Sequence, residues 1–310
     1  MPEPFDAILL IAFGGPERIE DVRPFLANVL EGRQVPAERI EEVVRHYETI
    51  GGRSPLNELT FRQADALRAQ LRSEGPDLPV YVGMRNWHPF LRDTLSEMRA
   101  ERVRHALGLI LSAQQSPAGW ERYQLDVAQA RERVGSDAPV VHYAGEWHAH
   151  PLFIDALAAR VLEAVAALPS GDRRATHTVF TAHSLPEAMV ATSPYVAQLK
   201  EEMHLVADKA GLKNYRLAYQ SRSGKPQEAW LGPDIIEVIR GLAVEAVRRL
   251  LVVPLGFVCD HVEVLYDLDI QARSVAESLG VEFSRAQTVN DHPLFIRMMA
   301  DVIRHHVAGN

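Results

Sequence analysis

His183, Glu263 and Asp267 have the side-chain types and the sequence settings that proton transfer and metal handling require. His183 directly follows the apolar run Thr178–Ala182, which reads as a buried strand. It precedes Ser184-Leu185-Pro186-Glu187, a capping-box pattern that predicts a helix start with Ser184 and Glu187 as caps. A helix N-terminus disfavours a positive imidazolium, so the ring is expected to be neutral and able to accept a proton or ligate a metal. A hydrogen-bonded structural histidine is an equal reading of the same position. A second apolar run, Leu250–Leu255, leads through Gly256-Phe257-Val258-Cys259-Asp260-His261-Val262-Glu263 to Asp267. If a helix starts near Asp260, Glu263 and Asp267 are i and i+4 neighbours and present paired oxygens to a hard cation. Asp260-x-x-Glu263 is also a capping-box pattern in which Glu263 is structural, and spacing leaves both readings open.

Other candidates carry less. Gly14-Gly15-Pro16 follows the run Ala7–Ala12 but matches neither G-x-G-x-x-G nor G-K-[ST], so nucleotide binding has little support. His148 and His150 are metal ligands by type, yet an exposed pair at a helix entrance reads as solvated surface, and no H-E-x-x-H accompanies them. Cys259, the single cysteine, reads as a small buried hydrophobe. One cysteine excludes an intrachain disulfide, a four-Cys zinc site and a cysteine-ligated iron–sulfur cluster supplied by one chain, and it fits a reducing cytoplasm.

The elements that must position these residues alternate. Runs rich in Val, Ile and Leu read as strands at Ala7–Ala12, Val80–Met84, Ala106–Ser112 and Val140–Tyr143, then at Thr178–Ala182, Tyr215–Tyr219, Leu250–Leu255 and Val281–Phe283. Between them lie amphipathic helical patterns such as Ile154–Ala167 and Ile235–Arg248. This predicts an α/β protein of two Rossmann-like, doubly wound lobes, each with a four-stranded parallel sheet, and a cleft between them. The expected lobes are residues 1–148 and 149–310, with the C-terminal helix free to pack back on the first. Ligands of such sheets bind beyond the strand C-termini, where the strand order reverses. With 41 acidic and 33 basic residues the formal charge is −8, which disfavours non-specific attraction to nucleic acid or anionic lipid. The N-terminus lacks the design of a signal peptide, and no run reaches the roughly 18 apolar residues of a membrane span.

Six segments in order resemble the ferrochelatase family across both lobes: Ala12-Phe13-Gly14-Gly15-Pro16, Tyr47 through Leu56, Ala182 through Glu187, Gln220-Ser221, Trp230-Leu231-Gly232-Pro233-Asp234, and Pro254 through Asp267. The resemblance implies insertion of Fe²⁺ into a porphyrin in heme biosynthesis, with iron as substrate and no obligatory cofactor. It implies His183 as proton acceptor or metal ligand, Glu263 as the facing carboxylate, and Asp267 one helical turn along an acidic path. Ser54 and Tyr47 match family positions that hold propionates, as does Tyr123. Arg45 and Arg53 add positive charge, with Arg33 a weaker candidate, and Trp230 and Phe13 are packing walls for the ring. Porphyrin and Fe²⁺ are the implied partners, with other heme-pathway enzymes beyond them.

Some members carry Tyr at the position of Phe13, which has no oxygen to ligate iron. Asn86 replaces a histidine found in some members, and the run Ser112–Pro117 departs from the pattern. A length of 310 residues resembles the soluble members that metallate coproporphyrin III, whose four propionates suit the available arginines and tyrosines. The stretch Pro55–Arg62, interrupted by Asn57, Glu58 and Arg62, makes a poor apolar lip for a membrane-borne substrate. Coproporphyrin III and a cytoplasmic location are therefore expected. The alternatives are a protoporphyrin IX ferrochelatase, another tetrapyrrole chelatase, whose shorter chain and different histidine spacing fit less well, and a tetrapyrrole carrier that binds without metallating.

Overall fold

The run Ala7-Ile8-Leu9-Leu10-Ile11-Ala12 is buried along its whole length, as a parallel strand covered on both faces must be. It forms β1 in a computed structural model that describes residues 4–169, 175–223 and 227–308. All eight expected strands form within two residues of their expected ends: β1 (Ala7–Ala12), β2 (Val80–Met84), β3 (His105–Ile110), β4 (Val140–Tyr143), β5 (His177–His183), β6 (Tyr215–Gln220), β7 (Arg249–Val253) and β8 (Glu282–Arg285). They make two four-stranded, all-parallel sheets of order β2-β1-β3-β4 and β6-β5-β7-β8. The chain divides into two compact units. Unit 1 takes Met1–Ala113, Ala118–Trp147 and Asn290–Asn310, and unit 2 takes Gln114–Pro117 and His148–Val289.

In unit 1, Leu91, Leu95 and Met98 of the helix Leu91–Ala100 and Val127 of the helix Arg122–Val134 pack on Ala7, Leu9 and Ile11. The helix Pro293–Ala308 belongs to the same unit: it lies on the helix Leu56–Glu74, sets Phe295 against Trp147 with ring centroids 5.9 Å apart, and joins Arg304 to Glu74 at 3.0 Å. In unit 2, Val238, Ile239 and Leu242 cover Val179, Ala218, Leu250 and Val252. Side chains of this size contribute ~1.5–3 kcal/mol each when fully buried. The helix expected over Ile235–Arg248 ends at Val244, because Ala246 turns into the left-handed region at φ +61° and Val247 N–H bonds back to Leu242 O at 2.9 Å.

The divergent run after β3 has a structural use. Gln114 Nε2 donates to Glu202 Oε2 at 2.6 Å, and Gln115 N–H donates to Gln198 Oε1 at 2.7 Å. Burial raises the Glu202 carboxyl's pKa well above the usual range, against the pull of the Gln114 hydrogen bond.

Candidate active site at the end of β5

In unit 2 the strand order reverses between β5 and β7, and that is where the ionisable groups gather. β5 ends on His183, whose carbonyl accepts the Tyr195 hydroxyl at 2.9 Å and whose Nδ1 donates to Ser184 O at 2.5 Å. This leaves Nε2 facing Glu263 Oε1 at 3.4 Å, while Glu263 Oε2 lies 3.6 Å from His261 Nε2. The carboxylate therefore stands between two imidazoles. Its backbone is tied to β6, since Gln220 Nε2 donates to Glu263 O at 2.5 Å. The next residue, Ser221, at φ +62°, donates its hydroxyl to Asp267 Oδ2. The His183 and Glu263 side chains keep 28% and 33% of their surface accessible, enough for a substrate to reach them.

The loop after β7 approaches β5 closely. Gly256 N–H donates to Thr181 O at 3.0 Å, and a Cβ on Gly256 would lie 2.8 Å from Ala182 Cβ. Only glycine fits there without displacing the strand that carries His183.

The structure corrects the capping box expected at Ser184, and the one left open at Asp260 does not form. Ser184 Oγ donates to Leu231 O at 2.7 Å, and the short helix Glu187–Val190 begins without a side-chain cap. Asp260 accepts from Arg285 and Thr288, and the helix Val262–Leu265 follows His261, also without a side-chain cap. Glu263 is thus no structural cap. A π-helical turn, Asp267–Ala272, comes next. A capping box does form at Asp234, with Glu237 closing it from inside the helix.

The electrostatics also change the expected state of His183. Burial alone lowers an imidazole's pKa, but the Glu263 charge and hydrogen bond, with the Ser184 carbonyl, push His183 up to about 9. Glu263, which burial alone would raise, is held well below the usual carboxylate range by His183 and His261. The neutral ring expected from a helix N-terminus is therefore an imidazolium paired with a carboxylate. The four-residue helix at Glu187 is too short to outweigh a full charge 3.4 Å away. Burial and then the Glu263 charge push Asp267 up to about 7, against the Ser221 hydroxyl and the two histidines. Among the described residues no group of three or more His, Cys, Asp and Glu side chains forms a ready metal cage.

The segment Ala229–Leu231 pairs antiparallel with Leu185–Glu187, which sets half-buried Trp230 beside the chain leaving His183, its Nε1 on Glu228 Oε2 at 2.9 Å. The other sequence candidates lie in unit 1. Phe13 leaves β1 and packs on Phe25, as do Tyr47 and Trp87. Ser54 meets the same strand end, its N–H on Pro16 O at 2.8 Å and its Cβ 2.9 Å from where a Gly15 Cβ would lie. Tyr123 is buried beneath the Arg85 guanidinium, 4.6 Å from its ring centroid, and Arg85 also lies 5.5 Å from the Phe13 ring. Arg33, Arg45 and Arg53 are exposed and form no ion pair with a described carboxylate. Asn86 is buried and donates to Phe13 O at 3.2 Å. His148 and His150 are not the expected exposed pair: His148 is buried against Glu201 at 3.1 Å, and His150 caps the helix Pro151–Ala167. The sequence reading missed His261, Tyr195, Arg85 and Arg285. The His-x-Glu spacing was a signal for His261 alone.

The ferrochelatase family model matches residues 5–307. The chain belongs to the ferrochelatase family. A ferrochelatase of Rhodopirellula baltica is 40% identical over 305 residues, covering 98% of this chain and 87% of that protein. Coproporphyrin III ferrochelatases of Nocardia farcinica and Mycolicibacterium smegmatis are 42% and 41% identical, each over 98% of this chain and over 89% and 91% of their own lengths. Among solved structures, SirB from Bacillus subtilis with Fe³⁺ superposes with a TM-score of 0.61 at 10% identity, covering 97% of this chain and 95% of that one. That likeness is one of fold. The family membership makes this chain a metal chelatase, and no helix among the described residues is long and apolar enough to cross a membrane.

Proposed function

We propose that this ferrochelatase inserts Fe²⁺ into coproporphyrin III, forming coproheme in the cytoplasm for a later enzyme of heme synthesis, and that it uses no resident cofactor. The observation that carries the reading is the Glu263 carboxylate held between His183 at 3.4 Å and His261 at 3.6 Å, with Asp267 on the following turn. Insertion joins Fe²⁺ to four ring nitrogens and releases two pyrrole protons, so the site must supply an anionic oxygen and a base. Both are present, initially neutralising one another. Fe²⁺ arriving at Glu263 cancels the charge that keeps His183 protonated; the ring then releases its proton and can accept one from a pyrrole nitrogen. Asp267, poised near 7, guides the cation and passes protons outward.

Coproporphyrin is supported by the named relatives and by the exposed Arg33, Arg45 and Arg53, which form no ion pair with a described carboxylate and suit a substrate with four carboxylates. In this reading Tyr47, Ser54 and Tyr123 serve the propionates, while Phe13 and Trp230 pack against the ring. The test is anaerobic absorbance of coproporphyrin III and of protoporphyrin IX with Fe²⁺, comparing kcat/KM. Higher kcat/KM for coproporphyrin is expected. A clear preference for protoporphyrin overturns the substrate, and band shifts without metallation of either overturn the enzyme reading.

A further inference from the structure

Asp260 and Asp269 bracket the stretch of chain that carries Glu263 and Asp267, and both reach one guanidinium. Arg285, the last residue of β8, sets Nε and Nη2 on Asp269 Oδ1 and Oδ2 at 2.7 and 2.8 Å and Nη1 on Asp260 Oδ1 at 3.1 Å. Nη1 also donates to Ala286 O at 3.1 Å, and Thr288 Oγ1 adds a second donor to Asp260 at 3.1 Å. Arg273 supports Asp269 from the other side, its Nε on the Asp269 carbonyl at 3.1 Å and its Nη2 3.9 Å from Oδ1. The Arg285 side chain is only 10% accessible, so the fork is a buried, bidentate contact of the strong charge-assisted kind.

The bracketed segment has little regular structure of its own. It holds the four-residue helix Val262–Leu265 and the start of the π-helical turn at Asp267. Turns this short are unstable alone, so tertiary anchors decide where their side chains point. Two of its carboxylates, Glu263 and Asp267, already repel one another. Without a cation between Asp260 and Asp269, two further half-buried carboxylates would add to that repulsion.

We propose that Arg285 is a positioning residue for metal insertion. It fixes the segment Asp260–Asp269 at both ends, so that Glu263 faces His183 and Asp267 stays on Ser221. This rests on the reading that Glu263 and Asp267 receive Fe²⁺. Lysine keeps the charge and loses the fork, so Arg285→Lys separates geometry from charge.

The experiment follows anaerobic metallation of coproporphyrin III by wild type, Arg285→Lys, Asp269→Asn and Glu263→Gln. Porphyrin affinity is read from fluorescence quenching and folding from circular dichroism. Arg285→Lys is expected to lower kcat/KM for Fe²⁺ about 10–100-fold, mainly through KM for Fe²⁺, as loss of a residue that orients metal-binding groups does. Its porphyrin affinity stays at the wild-type value. Asp269→Asn is expected to shift KM for Fe²⁺ in the same direction by less, and the double variant to be no worse than Arg285→Lys. A folded Arg285→Lys protein with wild-type Fe²⁺ kinetics overturns the proposal, as does an equal loss toward both substrates. If Arg285→Lys does not fold, Asp269→Asn decides, and an unchanged KM for Fe²⁺ overturns it. Glu263→Gln separates the two levels. Full activity there removes the site reading and the proposal together, whereas an inactive Glu263→Gln beside a fully active Arg285→Lys removes only the role of Arg285.

Discussion

In unit 1, β1 passes at its carboxyl end to Phe13; in unit 2, the strand of the same rank, β5, runs on to His183. The strand orders β2-β1-β3-β4 and β6-β5-β7-β8 are the same, so each unit has a reversal point beside that strand. What surrounds the two ends differs. Gly14, at φ +82°, lets the β1 loop lie against Trp87, and an aromatic cluster of Phe13, Phe25, Tyr47 and Trp87 fills the neighbourhood. At the β5 end, Tyr195 and Gln220 tie down the backbones of His183 and Glu263, and the side chains that remain are two imidazoles and two carboxylates. One topology thus builds an apolar strand end suited to packing on a flat ring and an ionisable end suited to moving protons and a cation. Side chains, not connectivity, assign the chemistry.

His183→Ala is expected to slow metallation by about 10²–10⁴-fold, the usual range for a lost general base. Phe13→Leu, at the matching place in unit 1, should cost no more than about threefold, since it exchanges one apolar side chain for another. Anaerobic absorbance time courses read both, and similar losses would erase the distinction between the two ends.

Glu263→Gln is expected to lower kcat by roughly 100-fold while porphyrin still binds, because the amide keeps the size and loses the charge. The variant should stay folded, with a melt lowered by loss of the charge pair with His183. A cap lost at this position would instead cost about 1 kcal/mol and leave kcat alone.

Asp267 provides the pH test. With its pKa raised to about 7, it is ionised above that pH and neutral below. KM for Fe²⁺ should therefore rise as pH falls through 7 in the wild type. Asp267→Asn should show the high KM throughout, without that limb. Retention of the limb in the variant assigns it to another group.

The smallest expected effect leaves both strand ends alone. Asp234→Ala removes the capping box of the helix Ile235–Val244 and should cost about 1 kcal/mol in urea unfolding with unchanged metallation kinetics.

That cap also shows how far local pattern reaches. Ser184-x-x-Glu187, Asp234-x-x-Glu237 and Asp260-x-x-Glu263 share one spacing, yet only the second closes as a capping box. Ser184 is claimed by the Leu231 carbonyl, and Asp260 by Arg285 and Thr288. Neither partner lies within the span that a capping pattern reads. The placement of His183 at a strand end was legible because Thr178–Ala182 is apolar and stops there, whereas the charge on the ring was not. That charge comes from Glu263, far along the chain.

By itself the sequence determined the eight strands and their parallel arrangement, since strands buried on both faces must be continuous apolar runs and the intervening helices leave no other pairing direction. The order of its motifs also determined the family. Tertiary structure alone decided that His183 is paired rather than neutral and that Arg285 clamps the segment carrying the acids. Both depend on which distant side chains share a low-dielectric site within 4 Å, where a single charge outweighs local propensity.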